Sequence, residues 1–281
     1  MAKTQQVGCH LFGAPVNHYL KFWGTRGSCP VSGPEYIQFG GNTACLEMRY
    51  DQTILIFDAG TGIRPLGKKL VQEKIKHIDL FLSHFHWDHL MGFPFFDLIY
   101  NPESSITIWS PQKSPENLME TLFAQPFFPI QFSALKAKIT FKTVQEPVKI
   151  GPLAIHFHPA NHPGGAILYK IVTPKEKIGY ASDNESSPLS QDLIQFYNGI
   201  DLLIHEAQYF PEEYTHKKGW GHSNLTDVLQ LAEKTHAHKL FVTHHDPMHT
   251  DTDLMKLAKM AGDQSSTPSE WLKDNQVIHL K

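Results

Sequence analysis

Short apolar runs recur along the chain, and most of them stop at a polar residue. Residues 19–24, 44–49 and 53–57 read as strands, with Asp51-Gln52 as the turn between the last two. Residues 63–75 carry a helical pattern, and 78–83 form the next apolar strand. A further strand at 106–109 precedes a helix beginning at Pro115 and running to 124, with proline in the first turn. Strands are then predicted over 138–144, 153–158, 166–172, 177–181, 201–204 and 239–243. Leu225, Val228, Leu229 and Ala232 mark one face of a helix starting at Ser223, and 252–261, ended by Gly262, give another. Strands first, then strands mixed with helices, predict an α/β fold of two packed sheets with helices outside. No internal repeat or linker interrupts residues 1–281, so they read as one domain.

Five of these runs stop at residues with chemistry. Asp58, His84, Asp183, His205 and His244 each follow an apolar strand, where layered α/β folds collect their ligand-binding and catalytic groups. The densest case is His84-Phe85-His86-Trp87-Asp88-His89. Three imidazoles and a carboxylate packed this closely need partners for each ring nitrogen and a counter-charge for the acid. His84 and His86 alternate along an extended backbone and so share a side. Asp88 and His89 follow at a helix start. A metal centre of nitrogen and carboxylate donors satisfies all of them.

Composition narrows the setting. With 41% hydrophobic and 19% charged residues, the chain has the make-up of a soluble globular protein. Its formal net charge of -3 supplies no general attraction to nucleic acid. Eighteen histidines fit metal chemistry, while Cys9, Cys29 and Cys45 form neither a CxxC site nor a disulfide framework. No signal sequence is evident in residues 1–21, and no run approaches the length of a membrane span, so the expectation is a cytoplasmic protein without a membrane partner.

The HxHxDH run at 84–89, together with Phe57-Asp58-Ala59-Gly60-Thr61-Gly62, His162-Pro163-Gly164-Gly165, Ser182-Asp183 and the late His244, resembles the metallo-β-lactamase superfamily over nearly the whole chain. The resemblance implies a four-layer αββα sandwich with a dinuclear metal site. It places His84, His86 and His162 on one ion, Asp88, His89 and His244 on the other, and Asp183 between them. Zinc heads the candidate ions, with manganese and iron also suited to such donors. Two divalent ions lower the pKa of a water held between them and yield hydroxide near neutral pH. Asp88 could orient or deprotonate that water. Asp58 is expected to fix a ligand imidazole from behind, with His205 as further support.

His205-Glu206-Ala207 followed by His222-Ser223 resembles the paired HEAT and HST motifs of the RNase Z-like phosphodiesterases, with Gln208 and Asn224 where those motifs carry threonine. That branch implies His222 as the group protonating the leaving oxygen and Glu206 as its orienting partner. Bacterial RNase Z carries a long tRNA-gripping arm between the histidine matching His162 and the bridging aspartate. Here residues 163–182 provide only two short strands and a turn, which argues against tRNA. The start at Phe22-Trp23-Gly24-Thr25-Arg26-Gly27 and the Gly-Gly-Asn-Thr at 40–43 resemble the enzymes that open 3′,5′-cyclic nucleotides. The expectation is a dinuclear phosphodiesterase acting on a small phosphodiester, as a homodimer. Trp87, Tyr209 and Trp220 lie beside site positions and either stack on a base or simply wall the pocket. Competing readings are an acyl hydrolase of the glyoxalase II or lactonase kind, an RNase Z-type endonuclease, and a metal-binding sensor without turnover.

Overall fold

A computed structural model describes residues 18–144 and 147–281. Cys9, His10 and most of the segment read for a signal sequence lie outside the described residues. Fourteen described strands form two seven-stranded sheets. The first is built from β1 (Tyr19–Gly24), β2 (Cys45–Tyr50), β3 (Thr53–Phe57), β4 (His77–Phe81), β5 (Ser105–Ser110) and β6 (Lys138–Thr143). The second contains β7 (Val148–Ile150), β8 (Leu153–Pro159), β9 (Ile167–Val172), β10 (Lys177–Ala181), β11 (Leu202–Glu206), β12 (Lys239–Thr243) and β13 (Ser269–Trp271). The last strand, β14 (Val277–His279), returns to pair with β1 and completes the first sheet.

Period-two alternation explains why these strands stack in layers. Leu55 and Phe57 face the second sheet, whereas Ile56 between them faces outward. Ile204 and Phe241 answer from the second sheet, while Leu203, Leu240 and Val242 face the opposite way. The inter-sheet layer is rich in aromatics: Phe57, Phe81, Tyr169 and Tyr180 pack with ring centroids 5.3–5.7 Å apart. Helices cover both outer faces. The helix α1 (Ile63–Gln72) lays Ile63, Leu66 and Leu70 on the first sheet; α2 (Trp87–Leu90) and α3 (Pro115–Leu122) lie on the same side. On the second sheet lie α4 (Gln191–Tyr197), α6 (Leu225–Lys234) and α7 (Asp251–Gln264), with α5 (Pro211–Lys217) preceding α6. The architecture is the expected αββα sandwich.

Parallel pairing positions the site. The strands β3 to β6 run parallel to one another, as do β10 to β13, so the carboxyl ends in each set share one edge. Several boundaries differ from the sequence reading. The helix read over 63–75 ends at Gln72, and the strand read over 201–204 runs on through His205 and Glu206, whose backbones stay in register with β12. Two others bear on the site. The strand predicted over 78–83 stops at Phe81, because Leu82 and the residues after it leave the ladder to follow the loop that carries the histidines. The helix expected to start at Ser223 is capped one residue later, where the Asn224 side chain accepts from the Asp227 N–H. Ser223 instead donates to the Asn184 carbonyl and accepts from the Ser186 N–H. The short elements α4, α5, β7, β13 and β14 were not anticipated, since each is too brief to leave a clear period in the sequence.

Candidate metal centre

The donor side chains arrive from both sheet edges. Beyond β4, an extended loop carries His84 and His86 with ring centroids 4.4 Å apart, and α2 begins at Trp87 to present Asp88 and His89. His162 comes from the turn joining β8 to β9, Asp183 follows β10, and His244 follows β12. Among the described residues His222 converges with His162 and Asp183, and also with Glu206 and His244, while the seven expected donors form two groups of their own: His84, His86 and His162, then Asp88, His89, Asp183 and His244, with the ligand atoms of each group all within 4.8 Å of one another. Asp183 faces both. Its Oδ2 lies 3.7 Å from His84 Nε2 and 3.8 Å from His162 Nε2, and its Oδ1 lies 3.0 Å from His89 Nε2 and 3.2 Å from His244 Nε2.

Four imidazoles are anchored through Nδ1, which aims Nε2 at the centre. His162 Nδ1 donates to the Gly221 carbonyl at 2.8 Å, and His244 Nδ1 donates to Gln208 Oε1 at 3.1 Å. His84 Nδ1 pairs with Ser83 Oγ at 2.9 Å, and His89 Nδ1 sits 3.0 Å from Asp58 Oδ2. Such outer contacts fix tautomer and ring orientation. Asp58 is itself held by the Ser83 N–H, the Ser83 hydroxyl and the Tyr180 hydroxyl, which ties the site to the inter-sheet core.

This arrangement is poorly satisfied by protein alone. His84 Nε2 and Asp183 Oδ1 are buried without a hydrogen-bond partner. His89 Nε2 lies 3.2 Å from His244 Nε2, and His86 Nδ1 lies 3.0 Å from His162 Nε2, so lone pairs confront one another wherever no proton intervenes. Burial raises the Asp183 carboxyl, but His244, His89 and His84 overcome this and hold it well below the usual carboxylate range. Burial likewise opposes charge on His89, yet Asp183, Asp88 and Asp58 push it well above the usual imidazole range. Burial and neighbouring imidazoles keep His84 and His86 low, hence neutral, as metal-ligating rings must be. An acidic, imidazole-rich pocket with orphaned buried donors fits two divalent cations, and these seven residues could hold them.

Three of the seven described non-glycine residues with positive φ lie at this site. Ser28 (φ 61°), Asp58 (φ 62°) and His244 (φ 54°) adopt the left-handed region. Each such residue costs about 1–3 kcal/mol, comparable to what one or two fully buried side chains of the adjoining core contribute. Two glycines are also required. A Cβ on Gly27 would meet His244 Nδ1 at 2.4 Å, and one on Gly221, already at φ 89°, would meet His162 Nδ1 at 2.4 Å.

His222 stands beside the cluster, its ring centroid 5.1 Å from that of His162 and 5.4 Å from that of His244. Glu206, at the end of β11, accepts from His222 Nδ1 through Oε1 at 3.0 Å, while Oε2 accepts the Ser223 N–H. Burial pushes the His222 imidazole down, but the Glu206 carboxylate raises it to about 9. The Nε2 of His222 remains for a ligand. His205, by contrast, contacts none of the converging donors: its Nδ1 donates to the Glu206 carbonyl and its Nε2 lies 3.3 Å from Ser186 Oγ. Tyr209 is buried, with the Lys217 ammonium 4.3 Å over its ring, whereas Trp87 and Trp220 are 63% and 62% exposed.

Several supporting groups had escaped the sequence reading. The Ser28 N–H donates to Asp88 Oδ2 at 2.8 Å. Gln208, noted only as a departure from a motif, holds His244. Glu185 accepts the N–H groups of Gly219 and Gly221 and so shapes the loop that carries the His162 acceptor. His245 and His249, which follow His244 in the chain, are buried; His245 Nε2 donates to the Leu272 carbonyl, and His249 Nε2 lies 3.1 Å from Glu213. Their signal was weak, since single glycines, serines and glutamates abound in any chain.

A family model described as the Beta-lactamase superfamily domain matches residues 53–245. The ribonuclease Z of Pyrococcus furiosus is 24% identical, with 89% of this chain and 93% of that protein covered. Among solved structures, the metallo-beta-lactamase fold protein YhfI from Bacillus subtilis superposes with a TM-score of 0.74 at 19% identity, over 94% of this chain and 100% of that one. A diphosphatase from the PhnP family gives a TM-score of 0.69 at 16% identity, over 94% and 98%.

Proposed function

We propose, because the chain belongs to the metallo-β-lactamase superfamily and to its RNase Z-like branch, that this metal-dependent hydrolase is a dinuclear phosphodiesterase cleaving a small phosphodiester, with 3′,5′-cyclic nucleotides as the leading substrates. The observation that carries the reading is the Glu206–His222 pair beside the donor cluster. An acyl hydrolase needs only the donor cluster, whereas an alkoxide leaving phosphorus needs a proton delivered to it.

In this reading His84, His86 and His162 would hold one divalent ion, Asp88, His89 and His244 would hold the second, and Asp183, which faces both groups, would serve the two together. Zinc, manganese or iron would supply Lewis acidity and an acidified water. Asp88, its carboxyl held well below the usual range by His89 and His244 against burial, stays ionised and orients water by accepting a hydrogen bond. His222 keeps its proton because Glu206 faces Nδ1, and it delivers the Nε2 proton to the leaving oxygen. The phosphorus–oxygen bond breaks with its electron pair on that oxygen; water supplies the replacing oxygen and releases one proton to solvent, from which His222 is reprotonated. Tyr209 serves as a wall of the pocket, since it is buried under Lys217.

The ribonuclease Z similarity favours tRNA cleavage as the second reading. Against it, residues 163–182 are occupied by β9, a turn at 173–176 and β10, which pair as a hairpin within the second sheet. Cytoplasmic location and a homodimer are carried forward from the sequence reading; among the described residues no helix is long and apolar enough to cross a membrane.

A substrate panel tests the proposal. Metal-loaded protein offered bis-p-nitrophenyl phosphate, cyclic nucleotides, a precursor tRNA, a thioester and a lactone should turn over the first two. Hydrolysis confined to the thioester or lactone would sink it, and preferred cleavage of the precursor tRNA would favour the second reading.

A further inference from the structure

A cavity of about 280 Å³ opens directly onto His222. Part of its lining is polar: Ser28, Gln208 and the Lys217 ammonium, which pairs with Asp246 Oδ2 at 3.2 Å. Tyr209 lines it but is 1% exposed and presents an edge to His222, with ring planes at 87°. At the mouth stand two large side chains with no described burial to account for them, Trp220 at 62% and Met248 at 78% exposure. The loop bearing Trp220 is fixed by the Glu185 carboxylate, which accepts the N–H groups on either side of it, Gly219 and Gly221. An exposed indole on an anchored loop, in a cavity that a thioether and polar side chains also line, suits a flat heteroaromatic ring with polar edges. Stacking rewards the ring face, and the ammonium and carboxylate reward the edge.

Position then decides which part of the substrate enters. His222 protonates the leaving oxygen, so the cavity beside it receives the leaving alcohol. Trp87 is the competing platform, but it borders a different cavity of about 330 Å³, whose other lining residues include Phe85, Leu90, Leu118, Leu122 and Phe127 and offer almost no polar edge. Resting on the phosphodiesterase reading above, we propose that the cavity of Trp220, Met248 and Lys217 is a nucleoside site, that it holds the base of the leaving alcohol, and that Trp220 rather than Trp87 is the specificity-determining aromatic.

The test compares a 3′,5′-cyclic nucleotide with the same cyclic ribose phosphate lacking its base. The wild type should prefer the nucleotide in kcat/KM, and Trp220→Ala should collapse that preference by roughly 10- to 100-fold, the worth of one stacked base. Trp87→Ala should leave the ratio as it is. Calorimetric titration with a nucleoside monophosphate should show a matching loss of affinity in Trp220→Ala, independent of turnover. Equal effects on both substrates, or a ratio that collapses in Trp87→Ala instead, would overturn the assignment. If bis-p-nitrophenyl phosphate is cleaved yet the base earns no preference in the wild type, the nucleoside site fails while the phosphodiesterase reading stands. If no phosphodiester is cleaved, both fail together.

Discussion

At the edge of the first sheet, four donor side chains come from one loop and the turn after it: His84, His86, Asp88 and His89. At the edge of the second sheet, His162, Asp183, Glu206, His222 and His244 come from five separate segments. The contiguous half is supported mainly by residues of the same sheet, such as Asp58 and Ser83. The dispersed half depends on contacts across loops, such as Gly221 to His162, Gln208 to His244 and Glu206 to His222. The difference separates two tasks. In the proposed reading, the first edge provides donors that any hydrolase of this fold can use, and the second edge completes the shell and directs the chemistry towards phosphodiesters.

The largest expected effect comes from Asp183, the residue that faces both donor groups. Asp183→Ala should abolish turnover and bring metal content, measured on purified protein by elemental analysis, below two equivalents. Retention of both ions would break the assignment of a bridge. Next is His222. His222→Ala should lower phosphodiester turnover by roughly two to four powers of ten while metal content stays unchanged. Loss of one metal equivalent would move His222 from proton donor to ligand. If His222 is the proton donor, as proposed, its protonated form is the active one and turnover should fall as pH rises through its pKa. Glu206→Gln removes the charge that lifts that pKa, so the alkaline limb of the pH profile should shift to lower pH.

A smaller effect is expected at Gly221. A methyl there would collide with the His162 ring, so Gly221→Ala should weaken metal binding by about 10- to 100-fold, as changes to outer contacts commonly do. Metal titration that matched the wild type would show that the dispersed edge tolerates movement. The smallest is Asn224→Ala. It removes the cap of α6 and should cost about 1 kcal/mol in chemical denaturation, with metal content unaltered.

Local pattern was enough to locate most strands, the helices α1, α3, α6 and α7, and the αββα class, because period-two and helical alternation record burial directly. It was also enough to single out His84, His86, Asp88 and His89, since clustered donors in adjacent residues are themselves the signal. The other donors were named through resemblance to a family, and no spacing in the chain brings His162, Asp183 and His244 together. Their convergence is a product of parallel strands from two sheets ending at one edge. Still less could the sequence show that Gln208 holds a ligand ring, that Gly27 and Gly221 make room for two others, or that Tyr209 is buried while Trp220 stands open. Those outcomes depend on distances between segments far apart in the chain, and only the packing of the two sheets sets them.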